Sequence, residues 1–360
     1  MVRPARHSIG DTRRAQRVRR RRLVRPLQLV PPVRRPPAPG VALISALLLV
    51  ALATATAVYI STQSSLRLRA ATEQQALVQA QASARAGIDF GRWALRDDAV
   101  RDAANPHAVD ALTEPWAQAL PPFPVEGGSV TGLVNDAQAR INLNNAGLSH
   151  SPFDAQVLQS LLTQLHLDPA LANAVTDWVD GDDQATLPGG AEDLAYLAMT
   201  PARRAANRPL LDVDELLSVR GFTPAMVEAL RPFVTALPVH TPVNVNTASP
   251  EVLAVLFGIG SNDSEALVTT RALQPFTDQA DLLERGPPTL AKILQGAAAG
   301  TAVTTRALPA FSNDWAVTSH YFQIDARASY GQVQYGLSAL VRRDNSATFP
   351  ALLAQRRIVF

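Results

Sequence analysis

The 360-residue sequence contains no cysteine. Disulfides, thiolate nucleophiles and thiolate zinc sites are excluded, although the compartment is not fixed by that absence. Histidine is scarce: His7, His107, His150, His166, His240 and His320 are scattered, with no pair at metal-ligand spacing. No G-x-S-x-G element supports a Ser-His-Asp set, and no Walker or Rossmann glycine pattern is present. A membrane-anchored hydrolase is therefore the weakest of the readings considered below. The tryptophans Trp93, Trp116, Trp178 and Trp315 read as core anchors, not as a cofactor box.

Acid is nearly missing from the first 40 residues, which hold 12 arginines and one aspartate. The remainder carries 21 Lys plus Arg against 30 Asp plus Glu, a net of −9. The basic character thus belongs to the tail. It adjoins a segment, Val41 to Leu66, with no charge at all, in which Val41 to Ile60 is mostly apolar. A basic tail beside an apolar run favours a cytoplasmic, membrane-proximal segment over a nucleic-acid protein.

Three readings compete for this front end. A cleavable secretory signal has an apolar region of ~7–15 residues followed by a small-residue site; the run here is longer and no clean site follows. A plain transmembrane anchor fits, since ~20 apolar residues span the hydrocarbon core. The third reading adds the residues beyond. No proline or glycine interrupts Val41 to Ala86, and Leu66, Ala70, Leu77, Ala84, Ile88 and Leu95 recur at four- or seven-residue steps. One helix of ~45 residues, ~70 Å long, is predicted, half apolar and half amphipathic.

Basic leader, Gly40, apolar helix and amphipathic continuation together resemble the class III signal of type IV pilins and type II secretion pseudopilins. The resemblance implies cleavage by the prepilin peptidase between Gly40 and Val41, with the helix retained. Most pilins carry glutamate at the fifth mature position; here it is Ser45. A buried carboxylate in an apolar helix is costly unless paired. In the family it is thought to pair with the amine of the neighbouring subunit, so Ser45 suits a leading, tip subunit. The leader is long for the family, and the next methionine is Met199, so the start codon stays open.

Beyond the helix, Asn105 to Gly128 reads as a loop-rich junction. GSVTGLVNDAQARINLNN reads as strand, turn at Asn135-Asp136, strand. Near the far end, Phe322, Ile324, Ala326 and Ala328 alternate, as do Val333, Tyr335, Leu337, Ala339 and Val341, around a Tyr330-Gly331 turn. Between them the chain reads mostly helical. Asp168-Pro169, Thr223-Pro224 and Ser249-Pro250 place proline at or near the first helical position behind a capping residue. INLNNA (Ile141–Ala146) returns as VNVNTAS (Val243–Ser249), an internal echo too short to establish duplication.

The order RINLNN, DWVDGDD, GAEDLAYL, PARRAANRPLLDVDEL, TPVNVNTASPEVL is similar to the K-type minor pseudopilin of type II secretion systems. The similarity covers Gly40 to about Arg343. It implies an α+β, pilin-like fold: a long N-terminal helix, a small antiparallel sheet and a large inserted all-helical domain. The expected organisation is a leader at 1–40, a transmembrane helix at 41–65 and its amphipathic continuation at 66–104. Core strands follow at 105–144 and 306–345, with the helical insertion, of a helix-hairpin-helix-like kind, at 145–305. It also implies a tip complex with I-, J- and H-type minor pseudopilins, and an inner-membrane location with the C-terminal domain in the periplasm.

Two motifs are weighed beside this. Gly258-Ile259-Gly260 resembles the hairpin that presents backbone N–H groups to DNA phosphate. Asn262, Asp263 and Glu265 follow where basic residues are needed, so no nucleic-acid partner is expected. A membrane-anchored DNA-uptake receptor remains the alternative function. Asp177, Asp180, Asp182, Asp183, Glu192 and Asp193 offer carboxylates to a hard cation, and K-type relatives bind calcium, although acids at helix ends also serve as caps.

Overall fold

The computed structural model describes residues 39–148, 152–298, 313–344 and 348–358. Most of the basic leader lies outside them. The chain divides into two compact units, Met1–Arg67 and Leu68–Phe360.

Helix α1 runs through Pro39–Asp102, 64 residues. It is longer than the uninterrupted stretch predicts because it continues through Gly87 and Gly91. From Gly40 to Arg67 its side chains are exposed, Gln63 only half so. Among the described residues this is the helix long and apolar enough to cross a membrane.

Within the second unit the stripe Ala80, Ala84, Ile88, Leu95 and Ala99 is buried. These positions share one face at helical spacing. The partners of the first four are Val134, Phe322, Ile324, Ala326, Leu337, Ala339 and Val341 on one face of a sheet. Full burial of a side chain such as Ile88 or Leu95 contributes about 1.5–3 kcal/mol. The two glycines set the distance of approach. A Cβ on Gly87 would lie 2.9 Å from that of Ala326, and one on Gly91 would lie 2.7 Å from Ile324 Cγ2.

The sheet contains β1 (Leu120–Val125), β2 (Gly128–Asp136), β7 (Tyr321–Tyr330), β8 (Val333–Arg342) and β9 (Ala351–Ile358), in the order β1-β2-β7-β8-β9. Every pairing in it is antiparallel, with Ile324 opposite both Val134 and Ala339. The β7–β8 hairpin turns at Gly331, whose φ of 55° suits glycine. Five features differ from the sequence reading. The expected core strand at Ile141–Asn142 pairs with Val234–Thr235 within the insertion and not with the sheet, and the sheet takes a strand, β9, beyond the expected limit at 345. Asn135 and Asp136 end strand β2 rather than forming a turn. The junction holds β1, hidden by Pro121, Pro122 and Pro124; proline is tolerated there because β1 is an edge. Trp93 is 47% exposed, whereas Trp116, Trp178 and Trp315 are buried as expected.

The insertion is built twice. The first copy contains β3 (Ile141–Asn142), α2 (Asn145–Leu148), α3 (Pro152–Gln164), α4 (Leu171–Val179), α5 (Asp193–Leu197), a 3-10 helix at Val213–Ser218, α6 (Pro224–Leu230) and β4 (Val234–Thr235). The second contains β5 (Val243–Asn244), α7 (Pro250–Phe257), α8 (Ser261–Leu273), α9 (Gln279–Arg285), α10 (Pro288–Ala298) and β6 (Trp315–Ala316). Strands β3 and β4 pair in parallel, and so do β5 and β6. Helices α3 and α7 are each followed within two residues by a left-handed residue, His166 (φ 58°) or Gly258 (φ 66°). The next N–H, of Leu167 or Ile259, bonds back to Leu162 or Ala254.

Asparagine locks each copy. Asn142 Oδ1 accepts from Asn144 N (3.2 Å), and Asn244 Oδ1 from Asn246 N (2.9 Å). Asn144 then holds both backbone groups of Leu210, at 2.7 and 3.0 Å. Asn246 holds both of Phe276, each at 2.8 Å. The clamped segments match: Pro209-Leu210-Leu211-Asp212 precedes Glu215-Leu216, and Pro275-Phe276-Thr277-Asp278 precedes Asp281-Leu282. Glu215 accepts from Leu211 N (3.0 Å) as Asp281 accepts from Thr277 N (2.9 Å), and both leucines are fully buried. The echo between INLNNA and VNVNTAS is thus a structural repeat.

A buried polar joint ties insertion to sheet. Asp136 accepts from Ser319 Oγ (2.6 Å), Thr247 Oγ1 (2.6 Å), Asn244 Nδ2 (3.0 Å) and Gln138 N (2.8 Å). A buried carboxylate is tolerable only with such saturation.

Candidate cation site in the acidic loop

The loop between α4 and α5 carries the acidic run. Asp177, on the last turn of α4, is fully buried, and its two oxygens accept from Thr186 N at 3.1 and 3.0 Å. The loop closes so tightly that a Cβ on Gly190 would lie 2.2 Å from Asp177 Oδ2. Asp177 therefore shapes the loop from beneath. Asp182 Oδ1 accepts from Gln184 N at 2.8 Å, and Asp183 from Asn207 Nδ2 at 3.4 Å. Asp193 pairs with Arg204 (3.1 Å) and accepts from Ala205 N (3.1 Å).

Three of the six acids converge. One oxygen each of Asp180, Asp182 and Glu192 lie within 4.8 Å of one another. Glu192 is 7% exposed, and neither of its carboxylate oxygens has a hydrogen-bond partner. Burial, then the charges of Asp177, Asp180, Asp183 and Asp182, push its pKa up to about 7. A carboxylate desolvated among like charges lacks the compensation that buried charge requires. A hard cation that accepts several oxygens supplies it. Sequence spacing did not point to Asn207. It donates to Asp182 O at 3.2 Å, while its Oδ1 is buried with no hydrogen-bond partner, a further oxygen at the loop.

A second group joins three distant segments: Asp154 on α3, His240 after β4 and Asp314 before β6. His240 Nε2 lies 3.3 Å from Asp154 Oδ2, and that hydrogen bond raises the histidine pKa. The hairpin Gly258-Ile259-Gly260 buries Ile259 and opens α8 with Asp263 in its first turn. Acid at that N-terminus opposes phosphate.

Residues Gly40, Val41 and Ser45 lie on the exposed first turns of α1. Ser45 Oγ donates to Val41 O at 2.8 Å, so its hydroxyl is satisfied within its own helix.

A long N-terminal helix packed on an antiparallel sheet, with a helical insertion between strands, defines a pilin-like protein. Residues 139–239 and 243–305 match two profiles of type II secretion system protein K. The boundary between them coincides with that between the two repeats. The chain is 32% identical over 312 residues to type II secretion system protein K of Pseudomonas aeruginosa, covering 84% of this chain and 88% of that one. It is 39% identical over 167 residues to the protein K of Klebsiella pneumoniae, covering 43% and 51%. A chain from the crystal structure of the GspK-GspI-GspJ complex of the enterotoxigenic Escherichia coli type 2 secretion system superposes with a TM-score of 0.66. That likeness has 24% identity and covers 82% of this chain and all of the other, and it shows the shared fold. The chain belongs to the protein K family of type II secretion systems, a family of minor pseudopilins that are structural components of the secretion machinery.

Proposed function

We propose that this minor pseudopilin is the tip subunit that initiates and caps the periplasmic pseudopilus. In this reading α1 anchors it in the inner membrane, with the N-terminus in the cytoplasm and the C-terminal domain in the periplasm. The prepilin peptidase cuts between Gly40 and Val41. The observation that carries the proposal is the doubled insertion between β2 and β7; in this reading its bulk blocks addition of a further subunit beyond it. Ser45 agrees, since a leading subunit has no amine ahead of it for a carboxylate to meet.

The partners in this reading are the I-, J- and H-type minor pseudopilins. A related fold occurs in the GspK-GspI-GspJ complex. A surface suited to them is the groove of about 320 Å³ between α1 and the β1–β2 end of the sheet, where Phe90 and Trp93 are nearly half exposed. Exposed aromatics in a shallow groove are common interface anchors. Calcium is the cation we assign to Asp180, Asp182 and Glu192; bound there, it would neutralise the buried carboxylates and fix the loop.

The test replaces the insertion from β3 through β6, residues 141–316, with a short linker. Membrane insertion and processing at Val41, read by N-terminal sequencing with and without the peptidase, are expected to persist. Pseudopilus initiation or length is expected to change. Unchanged length and unchanged secretion would refute the cap.

A further inference from the structure

We propose that the cleft between the sheet and the first repeat binds an acidic side chain of a partner polypeptide on Arg140. Arg140 stands directly before β3 and lines a cavity of about 560 Å³, within the ~300–1,000 Å³ of ligand pockets. Among the described residues its guanidinium forms no hydrogen bond and no ion pair with the protein. The other two arginines at the cleft are already committed. Arg231 pairs with Asp214 and Glu228, and Arg356 with Asp212 at 2.7 Å.

The acids within electrostatic reach of Arg140 are Asp325 and Asp136. Both are occupied elsewhere: Asp136 by its four donors, and Asp325 by the amides of Gln323 (3.2 Å) and Asn135 (3.4 Å). Burial lowers the Arg140 pKa, so the site disfavours the charge it holds. Arg140 is half-buried; a partly desolvated cation with no paired acid is left without full compensation, and rules of local satisfaction are broken chiefly at functional sites.

The fork of a guanidinium matches a carboxylate with two parallel hydrogen bonds. Gln323, Ser338 and Gln355 add neutral hydrogen-bonding groups, and Leu211 and Leu340 add apolar walls. Asp212 and Glu228 at the same cleft repel a polyanion such as nucleic acid but tolerate one compact charge. The occupant is accordingly a polypeptide segment presenting a single Glu or Asp.

The test uses the full chain in detergent, titrated calorimetrically with acetyl-Ala-Glu-Ala-amide and its glutamine counterpart. The glutamyl peptide is expected to bind about tenfold more tightly or better. Arg140→Gln and Arg140→Met should abolish that preference. Arg140→Met should also leave Tm unchanged or raised, because it removes a desolvated charge. Equal affinity for the two peptides, binding of neither, or a lowered Tm for Arg140→Met would each overturn the proposal.

Discussion

Asp98 and Arg343, 245 positions apart, meet in a buried ion pair of 2.8 Å. Arg343 also pairs with Asp110, donates to Ser319 O and lies 4.7 Å over the Phe322 ring. One guanidinium thus fastens the end of α1, the junction after it and the end of β8. Removing it strands two buried carboxylates. Arg343→Met is expected to lower unfolding free energy by about 3–5 kcal/mol, measured by urea denaturation. The double variant with Asp98→Asn should recover part of that loss.

The contact of α1 with the sheet depends on missing side chains. Gly91→Ala forces a Cβ against Ile324, and loss of about 1–3 kcal/mol is expected from such overpacking. Combining it with Ile324→Ala, which removes the Cγ2 and Cδ1 methyl groups that the new Cβ would meet, should cost less than the sum of the two single losses in the same denaturation assay. A null double-mutant interaction would mean that the two residues are not in contact.

The acidic loop gives a pH signature. The Glu192 carboxyl titrates near 7 in the folded chain, above its ordinary value of 4.5. Without a cation, its contribution to stability is full below about 4.5 and lost as pH rises through 7. A bound cation competes with that proton, so stabilisation by calcium should grow as pH rises through the same window. Thermal melts with calcium and with chelator should therefore diverge more at pH 8 than at pH 6. Glu192→Gln should collapse the difference. Equal divergence at both pH values would count against Glu192 as a ligand.

Much of the architecture is legible in period and composition. The uncharged run beginning at Val41, the alternation from Phe322 to Val341 and the capped helices of the insertion each follow from local physics. The caps are an example: Thr223 and Ser249 accept from Met226 N and Val252 N as their Thr-Pro and Ser-Pro pairs imply. Illegible parts depend on partners distant in sequence. Asn-Asp is ordinary turn chemistry, yet Asp136 is a buried acceptor because Ser319 and Thr247 converge on it. Pro121, Pro122 and Pro124 argue against a strand until the edge position of β1 is known. Of the acids in the loop, only geometry separates Glu192, with two unsatisfied oxygens, from Asp177, which is spent on Thr186. The echo of two asparagine motifs was visible, but the bidentate grip on Leu210 and Phe276 that makes it a repeat was not.

The prolines of β1 have a further consequence. They remove three backbone donors from one margin of the sheet, whereas β9 at the opposite margin, Ala351 to Ile358, contains no proline and stays exposed along most of its length. The sheet is therefore a ladder with one end sealed and one end open. By backbone pairing, a strand from another chain is expected beside β9 rather than beside β1, and misassembly through strand addition is expected to begin at the same margin.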